Sequence, residues 1–190
     1  KTNFTEDTVE NHNSNYKNAI AKDIGAFVTS TINNGGYYIA RFEAGKKEEK
    51  ILSKYNEEVW LNVRHNEAAV LCRNMYTNKL YTSDLINSYA WDTAIIFIQL
   101  FSTEEDASLY ASLNKGANFS NTGINKDKYC NIYDMSGNVH EWTTETSDNK
   151  IYNCVYRGGS FTGHYTSYRY GINTTDYGKW FSFRPILYID

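Results

Sequence analysis

The sequence has no long hydrophobic run. Its longest apolar candidate, Ala94 to Phe101, is interrupted by Gln99 and falls well short of the ~20 residues that span a bilayer. No membrane insertion is expected in this segment. An excess of positive charge is also missing: 19 Lys+Arg stand against 22 Asp+Glu, a formal net charge of -3, so no nucleic-acid partner is expected. Cysteine is scarce, and Cys72, Cys130 and Cys154 form no metal-ligand spacing. An odd count cannot complete a disulfide framework, although Cys130 and Cys154 could pair in an exported protein. Histidine is equally sparse. His12, His65, His140 and His164 are scattered with none at i, i+4 spacing, so no histidine-bound metal catalyst is expected.

What is present is enough for a core. A chain of 190 residues with 41% hydrophobic composition fits one domain, or one domain with an appended arm. Its aromatic content is high and polar in kind: 17 Tyr outnumber 9 Phe and 4 Trp, beside abundant Asn, Ser and Thr. Tyrosine with small polar neighbours suits a recognition surface, and it is also a good strand residue, so position along the chain has to decide between the two. The chain begins at Lys1 without Met or a signal-like segment, which reads as a piece of a longer chain.

Residues 1–15 are polar and Asn-rich and read as an arm or linker. From Tyr16, the apolar positions Ala19, Ile20, Ile24, Phe27, Val28 and Ile32 recur at three- and four-residue steps, predicting a helix that Asn33-Asn34-Gly35-Gly36 ends. Tyr37 to Ala44 reads as a strand, and Gly45 with Lys46 to Lys50 as a solvated charged turn. A second helix is expected from Asn66-Glu67 through Met75, with Cys72 as a small core residue. A third is expected through Trp91 towards Phe101, with Ser83 or Asp84 as its N-cap. After Glu104, eight glycines punctuate short aromatic segments, from Gly116 to Gly178, so helices come first and an irregular β-rich half follows: an α+β plan.

Three motifs sharpen this plan. Asp134-Met135-Ser136-Gly137-Asn138-Val139-His140-Glu141-Trp142, then Arg157-Gly158-Gly159-Ser160-Phe161, then Phe183-Arg184-Pro185 resemble the formylglycine-generating-enzyme family. Tyr37 to Glu43, Ala68 to Cys72 and Tyr89 to Ala94 resemble its upstream strand and its two helices. The resemblance implies a C-type-lectin-like fold over 36–190: two core helices around a small twisted antiparallel sheet with long loops, preceded by an N-terminal helix at 16–35. It also implies that Tyr37 to Phe42 pairs antiparallel with the terminal strand Phe183 to Ile189.

Activity does not follow from fold. The oxidase members of this family bind copper through two cysteines just after the second motif. Here that stretch, Phe161 to Tyr170, has no cysteine, and no other side chain serves as both nucleophile and soft copper ligand. Neither copper nor the iron of the sulfoxide synthases is expected, and the chain is read as a non-enzyme. The remaining resemblance is to the variable proteins of diversity-generating retroelements, which place a hypervariable face between the second and third motifs. By that resemblance the ligand-binding residues are Phe161, Thr162, His164, Tyr165, Tyr168, Tyr170, Asp176, Tyr177, Lys179 and Trp180. Phe161 itself is expected to reach into the core, as are Phe183, Trp91 and Trp142, while Arg157 and Arg184 are expected to pair with buried carboxylates or backbone carbonyls.

The family further implies a structural Ca2+ site at Asp134, Gly137, Val139 and Glu141; a carboxylate in such a loop can equally cap backbone N–H groups. The expected partner is a protein or glycan ligand on a cell surface, and the expected location a bacterial surface, secretion or a phage virion. Two alternatives stand beside this reading. One is an enzyme with altered chemistry, for which His164, Tyr165 and Asp176 are the only candidate set. The other is a purely structural domain of a phage tail or surface fibre.

Overall fold

The computed structural model describes residues 2–3, 24–76, 80–103, 118–124, 128–147, 151–173 and 175–189. Of the expected arm, only Thr2–Asn3 (β1) falls among these, and the expected helix start at 16–23 and His12 lie outside them. Helix α1 (Ile24–Asn33) buries Phe27. It ends where expected, because Gly35 and Gly36 adopt φ of 74° and 132°, a backbone region closed to most side chains.

Strand β2 (Tyr37–Ile39) is shorter than the sequence suggested. Its partner strand begins at Pro185, which has no N–H to return to the ladder. Ala40 still donates to Pro185 O at 3.0 Å, but the Ala40 carbonyl accepts from the Arg184 side chain instead. The chain therefore bends, and Phe42, Glu43 and Ala44 enter the core. The charged segment is no loose loop either. Strands β3 (Gly45–Lys47) and β4 (Lys50–Leu52) form a tight hairpin with Glu48 and Glu49, both at positive φ, in its two-residue turn.

Helix α2 (His65–Arg73) starts where Glu67 accepts the Arg64 N–H at 2.9 Å, and its inner face is His65, Ala68, Ala69 and Cys72. Ser83 and Asp84 are not a helix cap. They lie in strand β5 (Tyr81–Leu85), where Ser83 Oγ donates to Cys72 O and Asp84 accepts from Arg73 Nε at 2.9 Å. The cap of α3 (Ser88–Phe101) is Asn87, whose Oδ1 accepts the Ala90 N–H at 2.8 Å. Thr, Ser and Asp favour caps in general, but here the pairing of β5 with the C-terminal strand overrides that local preference.

The second half supplies β6 (Lys128–Tyr129), β7 (Ile132–Tyr133), β8 (His140–Ser147), β9 (Cys154–Arg157), β10 (Arg169–Ile172), β11 (Phe181–Phe183) and β12 (Pro185–Ile189). One sheet runs β1-β8-β9-β10, with β11 parallel to the start of β8. The other runs β2-β12-β5 and carries the expected antiparallel closure, Ile186 opposite Ile39 and Tyr188 opposite Tyr37. Two cores result. Trp142, Tyr156, Phe181 and Phe183 pack with the inner face of α2, while Trp91, Ile98, Met135, Ile186 and Tyr188 pack with Phe27 of α1. Cys72 is buried as expected, but no disulfide joins Cys130 and Cys154. Cys154 sits within the first core and Cys130 in the β6–β7 turn against the second, so the two side chains belong to different layers. Among the described residues, no helix is long and apolar enough to cross a membrane.

Candidate functional site

The segment between the second and third motifs is pinned at its start by close backbone packing. A Cβ on Gly159 would lie 2.4 Å from Ser136 O and 2.7 Å from His164 O, so only glycine fits there. Phe161 N–H donates to Asn138 O at 2.7 Å, and Ser160 and Gly163 exchange backbone hydrogen bonds across a tight turn. Phe161 is thereby buried, with its ring edge-on to Phe119, so it anchors the loop and is no part of an exposed binding surface. The core placements of Phe183, Trp91 and Trp142 agree with the sequence.

Beyond Phe161 the aromatic side chains turn outward. Tyr165, Tyr170, Tyr177 and Trp180 are 59, 51, 56 and 43% exposed, and Thr162, His164 and Lys179 are exposed as well; Tyr168 and Asp176 are half-buried. Tyr168 acts as a step between core and surface. His164 stacks on it at 4.1 Å and Tyr170 lies nearly parallel to it at 6.0 Å, while Tyr156, buried beneath, touches both tyrosines and Phe181. Strand pairing sets this order, because Tyr170 lies directly opposite Tyr156 on β9. A second group forms around the following turn, where Arg64 sits 4.8 Å over the Tyr177 ring and Lys179 about equally over Phe161 and Trp180. The sequence offered no signal for Arg64, which comes from the start of α2.

His140 and His164 also meet, with ring centroids 5.2 Å apart, although 23 intervening positions separate them in a reading that treated each as isolated. Burial lowers the His140 pKa to about 4. Its Nδ1 carries a proton to Gly158 O at 2.8 Å, so it is a neutral, weak base. The described ring contacts of His140 are His164, Tyr156, Tyr168 and Phe181. Of the candidate catalytic set, His164 packs on Tyr168, Tyr165 points to solvent and Asp176 is half-buried, with its N–H closing a turn with Asn173 O. Two clefts, of 420 and 380 Å³, open elsewhere along α2 and the β3–β4 hairpin, and neither is lined by any of these residues.

The arginines of the motifs serve the scaffold. Arg157 pairs with Asp92 and lies 4.9 Å over the Trp91 ring, and Arg184 is buried against Glu141. This second pair bears on calcium. Arg184 Nε donates to both Glu141 oxygens at 3.0 and 3.1 Å, and Trp91 Nε1 donates to Oε2 at 3.1 Å, so a guanidinium already neutralises the carboxylate. Asp134 Oδ2 accepts the Gly123 N–H at 2.7 Å. Among the described residues, no group of three or more His, Cys, Asp or Glu is arranged to hold a metal ion. Glu141 is thus committed to Arg184 and Trp91, and it would have to give up that pairing to ligate Ca2+. EDTA and added Ca2+ are each expected to leave the melting temperature within about 1 °C, since only a ligand bound to the native state would shift it. A rise on adding Ca2+ that EDTA reverses would overturn this.

Comparison with known proteins bears on the fold. No curated protein matches the chain. Among solved structures, CarF is 15% identical with a TM-score of 0.52, over 87% of this chain and 83% of its own. Treponema denticola variable protein 1 is 16% identical with a TM-score of 0.49, over 66% of this chain and 69% of its own. The likeness to CarF is one of fold. The family model described as the sulfatase-modifying factor enzyme 1-like domain matches residues 62–182, from just before α2 into β11 and across all the loop positions above. With more than half of the chain matched and its helices and small antiparallel sheets laid out as that architecture requires, the chain belongs to the sulfatase-modifying factor enzyme 1-like family and has its C-type-lectin-like fold.

Proposed function

We propose that this chain is a ligand-binding domain of receptor or adhesin type and not an enzyme, presenting the aromatic surface between Thr162 and Trp180 as the variable proteins of diversity-generating retroelements present theirs. The observation that carries this reading is the outward exposure of Tyr165, Tyr170, Tyr177 and Trp180 on a loop whose two ends are buried at Phe161 and Phe181. Large rigid rings cost little rotamer entropy when they bind, and their polar tips supply hydrogen bonds, so they serve as anchors in interfaces. The loop has no cysteine where the oxidase members of the family carry theirs, which removes the thiolate chemistry. The partner proposed is a protein or glycan on a cell surface, met by this domain on a bacterial surface, in secretion or on a virion.

Alanine at Tyr165, Tyr170, Tyr177 or Trp180 is expected to change stability by no more than about 0.5 kcal/mol each. Each is also expected to weaken binding to a ligand selected from a glycan array or a cell-surface protein library by tenfold or more, equivalent to about 1.4 kcal/mol. Tyr168→Ala should cost more stability, because that ring supports its neighbours. Binding that survives all four replacements would sink the reading. Alleles of the gene give an independent check: substitutions spread evenly along the chain, instead of clustering between residues 162 and 180, would remove the variable-protein part of the proposal.

A further inference from the structure

The exposed rings of the 162–180 segment do not all stand on the same support. Tyr168 and Tyr170 rest on Tyr156 in the sheet beneath them. Tyr177 has no such floor: among the described residues, the only ring or cation against it is the Arg64 guanidinium, 4.8 Å from its centroid. Arg64 precedes α2 and lies outside the 162–180 segment. Its own stretch of chain is held from several sides. Val63 is buried, and its carbonyl accepts from Trp142 Nε1 at 3.0 Å. Glu67 grips Arg64 twice, taking its backbone N–H on Oε2 at 2.9 Å and its Nη1 on Oε1 at 3.3 Å. Asn62 N–H donates to Gly178 O at 3.3 Å, the same carbonyl that the Phe181 N–H reaches. Residues 62–64 thus meet the turn at 176–180 through one backbone hydrogen bond and one ring contact, from a stretch that the core keeps in place.

We propose that Arg64 is a positioning residue for the aromatic surface: from outside the loop, it holds Tyr177 in the outward pose that a partner meets. The proposal rests on the ligand-binding reading for its purpose and not for its geometry. A guanidinium is planar and stacks on a ring face, and the grip of Glu67 removes much of the freedom it would otherwise lose in doing so. The Arg64–Glu67 pair is half exposed and adds little to stability by its charge alone, so its effect lies in where it keeps the guanidinium. A ring that is already held needs less ordering when a partner arrives, which raises affinity without a new contact.

Hydrogen exchange followed by NMR on the full chain reads this without any ligand. Arg64→Ala keeps the backbone N–H that Glu67 accepts. In that variant the Asn62 and Phe181 amides are expected to exchange about two- to fivefold faster, the factor that an exposed cation–π contact corresponds to. The Gly158 amide, which donates to Tyr168 O in the other part of the surface, should keep its rate. Arg64→Lys has the charge without the plane and should recover part of the effect, whereas Arg64→Met should recover none. Tyr177→Leu should give the same faster rates, and Arg64→Ala should add nothing to them. Parent-like rates at Asn62 and Phe181 in Arg64→Ala, or full recovery by methionine, overturn the proposal. Should Arg64→Ala fray α2, seen as faster exchange of the Ala68 amide that donates to Arg64 O, Tyr177→Leu decides alone, and unchanged rates in it overturn the proposal. A chain that shows the expected rates yet binds nothing on a glycan array or in a cell-surface protein library keeps the positioning role and loses only the receptor reading.

Discussion

Methionine in place of Arg184 is expected to cost about 3–5 kcal/mol of folding stability, the largest loss from any single substitution considered for this chain. The guanidinium is fully buried and ties four segments together: Glu141 on β8, Ala40 O after β2 at 2.8 Å, Tyr133 O on β7 at 2.7 Å, and its own place between β11 and β12. Removing it leaves a buried carboxylate without its counter-charge and two carbonyls without donors, and that loss exceeds anything the methionine gains by packing. Adding Glu141→Gln should recover a large part of the deficit, because the stranded charge is then gone. Urea midpoints of the single and double variants measure this. A single-variant loss below about 1 kcal/mol, or no recovery in the double, would show that the pair is not what holds these strands together.

Glu43→Gln is expected to stabilise the protein at alkaline pH. Glu43 is completely buried, and burial is the main reason its pKa is raised well above the usual carboxylate range, with the charges of Asp134 and Glu141 pushing the same way. Asn138 donates to its Oε1, Arg184 offsets part of the shift, and Oε2 has no hydrogen-bond partner among the described residues. A carboxyl whose pKa is raised in the fold contributes its stability fully below the unfolded carboxylate range. That contribution is lost progressively as pH rises from there through the raised folded value. Glutamine keeps the shape and the acceptor without a titrating proton. The variant should therefore melt at least about 3 °C higher than the parent at pH 8 and show a flatter profile between pH 5 and 8. Equal pH slopes in the two proteins would mean that Glu43 ionises in the fold as it does in the open chain.

The expectation for Glu43 could not have been written from sequence. Glu43 lay in a stretch read as continuous strand, where alternate residues face water; it is buried because the chain bends after Ile39, and the bend follows from Pro185, about 145 positions away. The cap of α3 was displaced for the same kind of reason. Thr82-Ser83-Asp84 has good capping chemistry, and only the hydrogen bonds of β12 make it a strand. Cys130 and Cys154 show the converse, since composition allowed a pair that the layering of the two cores forbids.

The sequence determined the α+β plan and the burial of Trp91, Trp142 and Phe183, because local motifs of glycines, aromatics and charges can each satisfy only a few backbone geometries, and through its family resemblance it implied the closure of β2 on β12 and a scaffold role for Arg157 and Arg184. The outward turn of Tyr165, Tyr170, Tyr177 and Trp180, the meeting of His140 with His164 and the approach of Arg64 to Tyr177 were decided only in three dimensions. An irregular loop has no period from which the direction of a side chain can be read. Its exposure is set by which distant strand lies beneath it, here Tyr156 on β9 and Phe181 on β11, and that is a property of the packed molecule.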